Sequence, residues 1–166
     1  MTRTDFIAPW GTSLKIMTAL VVLLLVGMAI AGVVIMVRGS SLWILIMVAL
    51  PLSLLALFSL FMVRGYRLSP DKLVVRRLGW NSVLPLSTLQ SAEADSRAMS
   101  GSIRAFGIGG AFCYAGLFHN DKLGSYQAFA TDPEHTVVLK FSDRTAVITP
   151  DDPQAFIAAL RELGHS

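Results

Sequence analysis

The sequence predicts an α+β membrane protein, in which a two-helix transmembrane hairpin is followed by a small bent β-barrel or orthogonal sandwich closed by a C-terminal helix. Three observations predict it. Residues 16–37 and 42–63 each run 22 residues without an ionisable group. Beyond Arg64 the apolar period shortens from that of a helix to that of a strand. Near the end, residues 152–164 carry one apolar stripe at helical spacing between a capping residue and a glycine.

The hairpin comes first because its argument is one of length. A hydrocarbon core is about 30 Å thick, and a helix rising ~1.5 Å per residue needs ~20 residues to cross it. In lipid every backbone polar group must be satisfied inside the segment, so both runs are expected as helices. Arg38-Gly39-Ser40-Ser41 between them leaves room only for a tight reversal. Lys15, the apolar run and Ala29-Ile30-Ala31 imitate a signal peptide. The run continues past that site into a second span, so it reads as a retained membrane helix.

Charge orients the hairpin. Arg3, Lys15, Arg64 and Arg67 flank its two ends, whereas Arg38 stands alone at the reversal. Positive-inside bias then places both termini and the soluble part in the cytoplasm. The expected organisation is a cytoplasmic segment 1–15, the hairpin 16–63 and a cytoplasmic domain 64–166.

Within helix one, Gly27 and Ala31 share a face and suit close approach of a partner, either helix two or a second copy. In helix two, Pro51 is expected to kink the helix, and Ser53 and Ser59 can bond back to its backbone. Neither span holds an acid, base or histidine, which argues against an ion or proton pathway. Ahead of the hairpin, Trp10 suits the headgroup level or belongs to a frayed terminus.

The remainder reads as six or seven short strands. Tyr66-Arg67-Leu68 and residues 73–77 flank a Ser69-Pro70-Asp71-Lys72 turn, in which Pro70 presets φ. A second turn is expected at Gly79-Trp80-Asn81-Ser82. Residues 83–86 and 89–94 suggest one strand broken or bulged near Pro85. Residues 95–102 are small and polar, hence a loop. Residues 103–118 interleave glycines with Phe106, Phe112, Tyr114 and Phe118, a pattern for sharp bends and close backbone approach in a curved sheet. Residues 124–131, 136–141 and 145–149 are further strands, joined by turns at Asp132-Pro133-Glu134 and Ser142-Asp143-Arg144. Asp152 as N-cap and Pro153 at the first helical position open the last helix, and Gly164 stops it. Its stripe of Phe156, Ile157, Leu160 and Leu163 needs a partner, because a helix this short is unstable alone.

This tail resembles the bacterial pleckstrin-homology-like domains found behind transmembrane helices in small membrane proteins. The resemblance spans residues 65–163. It rests on Tyr66-Arg67-Leu68 with Asp71-Lys72-Leu73, on Pro85-Leu86-Ser87-Thr88-Leu89, and on Arg104, Phe106-Gly107, Gly110, Gly116 and Phe118 in that order. Ala130-Thr131-Asp132 and Ile148-Thr149-Pro150-Asp151-Asp152-Pro153, then Phe156, complete it. The resemblance implies a seven-stranded bent barrel capped by the C-terminal helix, in a multi-pass protein of the bacterial inner membrane. It implies no enzymatic activity and carries no catalytic residue across.

Composition and motifs exclude most chemistry. The mean hydropathy of +0.61 is concentrated in the hairpin. From Arg64 onward 11 Lys/Arg face 10 Asp/Glu, too even a balance for a nucleic-acid partner. Cys113 is the single cysteine, which rules out an internal disulfide and reads as a small buried hydrophobe. Gly107-Ile108-Gly109-Gly110 lacks the third glycine of a dinucleotide loop, and no Gly-Lys-Ser/Thr follows. His119 near Asp121 and Ser125 lacks a nucleophile motif, His135 sits in an acidic turn, and His165 is in the tail. No metal, cofactor or catalytic set is expected.

The expectation is therefore a non-enzymatic, membrane-anchored interaction module that scaffolds or regulates a membrane-protein partner, or a second copy of itself. Arg104, Phe106, Phe112, Tyr114 and Phe118 are its candidate surface. The alternative is a sensor of anionic lipid headgroups through Arg64, Arg67, Lys72, Arg76 and Arg77.

Overall fold

The computed structural model describes residues 3–36 and 41–164. The expected reversal therefore lies outside the described residues except for Ser41, and so does His165. Two apolar helices, α1 (Thr12–Met36) and α2 (Ser41–Leu60), lie against each other. Gly32, rather than Gly27, is the point of close approach. A Cβ built on Gly32 would stand 2.8 Å from the Met47 Cβ, whereas nothing faces Gly27 within 4 Å. Leu14, Thr18, Leu25, Ala29 and Gly32 form the buried face, and Ala31 lies off it. Helix α2 runs through Pro51, and the Ser53 and Ser59 hydroxyls donate to the Leu50 and Ala56 carbonyls, each at 2.8 Å.

The strands form two sheets. The first is β1 (Asp5–Ile7), β2 (Val63–Leu68), β3 (Lys72–Arg77) and β4 (Asn81–Pro85), in that order and antiparallel. The second comprises β5 (Leu89–Ala94), β6 (Ile103–Ala111), β7 (Cys113–Asn120), β8 (Gly124–Ala130), β9 (Val137–Phe141) and β10 (Thr145–Ile148). Its order is β5-β9-β10-β8-β7-β6, with β8 and β10 parallel and the other pairs antiparallel. Helix α3 (Pro153–Glu162) follows. Nine strands thus follow the hairpin among the described residues, more than the six or seven expected.

Two further sequence expectations need correcting. The stretch 83–94 is not one bulged strand. A 3₁₀ turn, Leu86–Thr88, with Leu86 buried, carries the chain from the first sheet to the second. Nor is the N-terminal segment frayed. Asp5, Phe6 and Ile7 pair with Arg67, Tyr66 and Gly65, which places β1 on the edge of the first sheet. Its other side is held by Asp151, whose backbone N–H donates to the Ile7 carbonyl at 2.9 Å.

The interior between the sheets is filled by Tyr66, Leu73 and Val75 from the first and Phe129, Leu139 and Ile148 from the second. Helix α3 closes it as the stripe predicts. Phe156, Ile157 and Leu160 are buried, Leu163 packs beside them, and Ala158, Arg161 and Glu162 are exposed. The Asp152 carboxylate accepts the Ala155 N–H at 2.9 Å, the expected cap. Phe6 of β1 meets Phe156 edge-on at 5.1 Å, so β1 and α3 share one core.

A second, smaller cluster covers the outer face of the second sheet. Phe118 stacks on Tyr126 at 6.0 Å beneath Ala98 and Met99. The expected loop 95–102 thus also serves as a cover, through buried Ala98 and Met99. Asn120 holds it by donating to the Ala98 carbonyl at 2.8 Å and the Ser102 hydroxyl at 2.9 Å.

Candidate interaction surfaces

The basic residues beside the hairpin do not form one patch. Successive strand residues alternate faces, so Arg67, Lys72 and Arg76 point outward from the first sheet, while Arg77 turns inward. Asp5 of β1 neutralises part of the outward group, with Arg67 at 2.9 Å and Arg76 at 3.9 Å. Arg64 and Lys72 are exposed. Arg77 is half-buried, 5.0 Å from the Phe129 ring centroid and 5.5 Å from that of Trp80. Burial lowers its pKa, and its Nε has no hydrogen-bond partner among the described residues. The β1 strand, which the sequence did not disclose, is what turns two of the five candidate lipid residues into an ion-pair network.

The candidate aromatic surface divides as well. Phe118 is only 5% exposed in the outer cluster, where Tyr114 packs beside it. Phe112 occupies the β6–β7 tip, at φ 63°, a left-handed conformation uncommon for a bulky side chain. Arg104 and Phe106 do face solvent, Phe106 at 77% exposure beside Ile103 at 74%. Both lie on β6, the edge of the second sheet, and Leu117 is exposed opposite Phe106 on β7. The strands can approach there because Gly107 and Gly116 face each other. A Cβ on either would fall 2.2 Å from a backbone oxygen of the other strand.

The end of the barrel nearest the hairpin is bound to it by hydrogen bonds. Thr131 donates its hydroxyl to the Pro9 carbonyl at 2.7 Å, and its own carbonyl accepts the Gly11 N–H at 3.1 Å. Behind Thr131 stands Thr149, whose hydroxyl accepts the Thr131 N–H at 2.9 Å. The Tyr66 hydroxyl completes the chain, accepting the Thr149 N–H at 3.1 Å and donating to the Phe129 carbonyl at 2.5 Å. Burial pushes the Tyr66 phenol up to about 12, with Thr149 bonding in opposition, so it stays a neutral donor.

A second group of contacts joins the β6–β7 tip to both helices. The Phe112 N–H donates to the Thr18 hydroxyl of α1 at 2.9 Å, and the Cys113 thiol donates to the Phe61 carbonyl at 3.3 Å. Cys113 is fully buried, and burial raises its pKa to about 11, so the thiol is an inert donor rather than a nucleophile. At the exit of α2, the Gly79 and Leu78 N–H groups donate to the Leu60 and Met62 carbonyls at 3.0 and 3.1 Å. The Leu60 carbonyl is among the ones a helix end leaves unsatisfied.

The two described histidines are engaged locally. His119 shares a 3.1 Å hydrogen bond with Ser125 on the adjacent strand, and His135 one of 2.9 Å with Asp132. Among the described residues no three His, Cys, Asp or Glu side chains gather in a way that could hold a metal ion. Asp95 lies away from the hairpin, and its hydrogen bond from Lys122 holds its carboxyl below the usual range.

No curated protein and no solved structure matches the chain. A family model described as the bacterial PH domain matches residues 64–164, from the first residues after the hairpin to the end of the closing helix, and the chain belongs to that family.

Proposed function

We propose that the protein is a non-enzymatic interaction module, held at the cytoplasmic face of the bacterial inner membrane by its two-helix hairpin, where it engages a protein partner in the same membrane. The pairing of β1 with β2 carries this reading. It ties the chain just before α1 to the chain just after α2, so a crossing made by the first helix must be reversed by the second. Among the described residues Thr12–Val34 is long and apolar enough to cross a bilayer, and Ile46–Leu60 is a shorter apolar helix. The positive residues at the paired ends favour the cytoplasm for the domain.

A bacterial PH domain suggests a protein or lipid interaction module, and the surface chemistry favours protein. The outward cations Arg67 and Arg76 are occupied by Asp5, whereas the β6 edge offers Ile103 and Phe106 to solvent. An edge strand with exposed apolar side chains is a site that another chain can extend. A photo-crosslinking residue in place of Phe106, in the full chain in native membranes, should give a discrete protein adduct. The same residue in place of Arg161 should not. Equal labelling at both positions, or lipid adducts alone at 106, would overturn the proposal.

A further inference from the structure

We infer that the β3–β4 turn at Leu78-Gly79-Trp80, with the β6–β7 tip at Phe112 beside it, sits in the headgroup layer of the bilayer, so that the barrel stands on the membrane by this edge instead of hanging from a tether. The inference rests on the membrane reading of the hairpin and adds the depth and orientation of the domain.

Relative level along the helices comes first. Gly32 of α1 faces Met47 and Val48 of α2. Counting 14 residues back along α1 gives Thr18, about 21 Å away at ~1.5 Å per residue. An equal count forward from Met47 runs to the end of α2 and gives Phe61, the residue after it. The structure joins these two levels through consecutive residues of one tip, Phe112 at Thr18 and Cys113 at Phe61. The tip therefore lies level with the end of α2 and six residues inside the start of α1, one turn past Lys15.

The β3–β4 turn lies at the same level. Its Gly79 is pressed to the last turn of α2, since a Cβ there would stand 3.0 Å from the Leu60 Cβ. Trp80 meets Phe61 edge-on at 4.7 Å. Nevertheless Leu78 and Trp80 remain 47% and 44% exposed, continuous with exposed Leu57 and Leu60 on α2. Two large apolar side chains left open on a turn seated at the end of an apolar helix need a cover that extends the helix's own surroundings. The occupant is thus the bilayer interface. Tryptophan is enriched at that depth because its ring is apolar and its indole N–H polar. Exposed Arg64 and Lys15 of α1 supply the cations that headgroups favour.

Depth-dependent quenching tests it on the full chain in phosphatidylcholine vesicles. Trp10→Phe with Trp43→Phe leaves Trp80 as the single tryptophan, and Trp10→Phe with Trp80→Phe leaves Trp43, at the start of α2. Trp80 should be quenched about twofold more by a headgroup-level spin label than by aqueous iodide, as expected of an interfacial ring. Strong iodide quenching without lipid quenching would place the turn in water and overturn the inference. Quenching by neither would show a protein cover and overturn it equally. Trp43 separates the two readings. If lipid labels quench Trp43 but not Trp80, the hairpin is membranous and only the seating of the turn is wrong, and if they quench neither, the membrane reading falls as well.

Discussion

Helix α3 and the α1–α2 pair answer the same physical demand in opposite ways. In α3 the apolar residues fall on one stripe, and the barrel buries that stripe while Arg161 and Glu162 face out. In α1 the apolar residues run all round. Leu23 and Leu24 are 74% and 62% exposed, although one face packs on α2 and the barrel. A stripe can be covered from within a small domain. A helix apolar on every face cannot, so its cover comes from outside the chain.

That comparison can be broken most severely at the hairpin. Replacing both Leu23 and Leu24 by Arg puts two charges near the middle of α1, at ~2.5–3.5 kcal/mol each for a residue at the bilayer centre. The expected total of roughly 5–7 kcal/mol should release much of the chain from membranes under alkaline carbonate extraction. In water the same changes at exposed positions would each stay within about 0.5 kcal/mol, and undiminished retention would mean that these side chains do not face lipid.

The next effect is at the covered stripe. Phe156→Ala removes a fully buried ring wedged against Phe6, and should cost about 3–5 kcal/mol from lost transfer energy and the residual cavity. Urea melts of the full chain in detergent micelles would register it as a large drop in the midpoint of the barrel transition. The smallest change sharpens the contrast. Arg161→Ala, on the exposed face of the same helix, should move that midpoint by under ~0.5 kcal/mol. Similar small shifts for both would deny α3 its role as the closing element.

What was legible in the sequence was what is decided locally. The Asp152 cap, the α3 stripe, the Ser69–Lys72 reversal and the close backbone approach allowed by the glycines of 103–118 each follow from residues within a turn or one hairpin. Non-local features were not legible. The strand β1 is three residues long, with too little alternation to register, and its partner lies beyond the entire hairpin. Missing it also hid the role of Asp5, so Arg67 and Arg76 read as free headgroup ligands. The loop at 95–102 was legible, but its role as a cover was not, because Ala98 and Met99 carry no periodic signal and the stacked Phe118 and Tyr126 beneath them supply the burial. Of the candidate surface, Phe106 and Phe118 are the same residue type in one glycine-rich stretch, and only the strand faces and the loop cover separate them.

The position of β1 also sets the order in which the protein can be made. Residues 5–7 leave the ribosome before either helix, but their partner Gly65-Tyr66-Arg67 emerges only after both. Until α2 has brought the chain back to the side it started from, the first sheet lacks its edge strand and Phe156 lacks Phe6. If the two helices cross a bilayer as proposed, a molecule whose second helix failed to return would leave β1 and the barrel on opposite sides of it, with the core incomplete. Under the proposed membrane reading, completion of the barrel would act as a check on insertion, since a correctly threaded chain can close its core and a misthreaded one cannot.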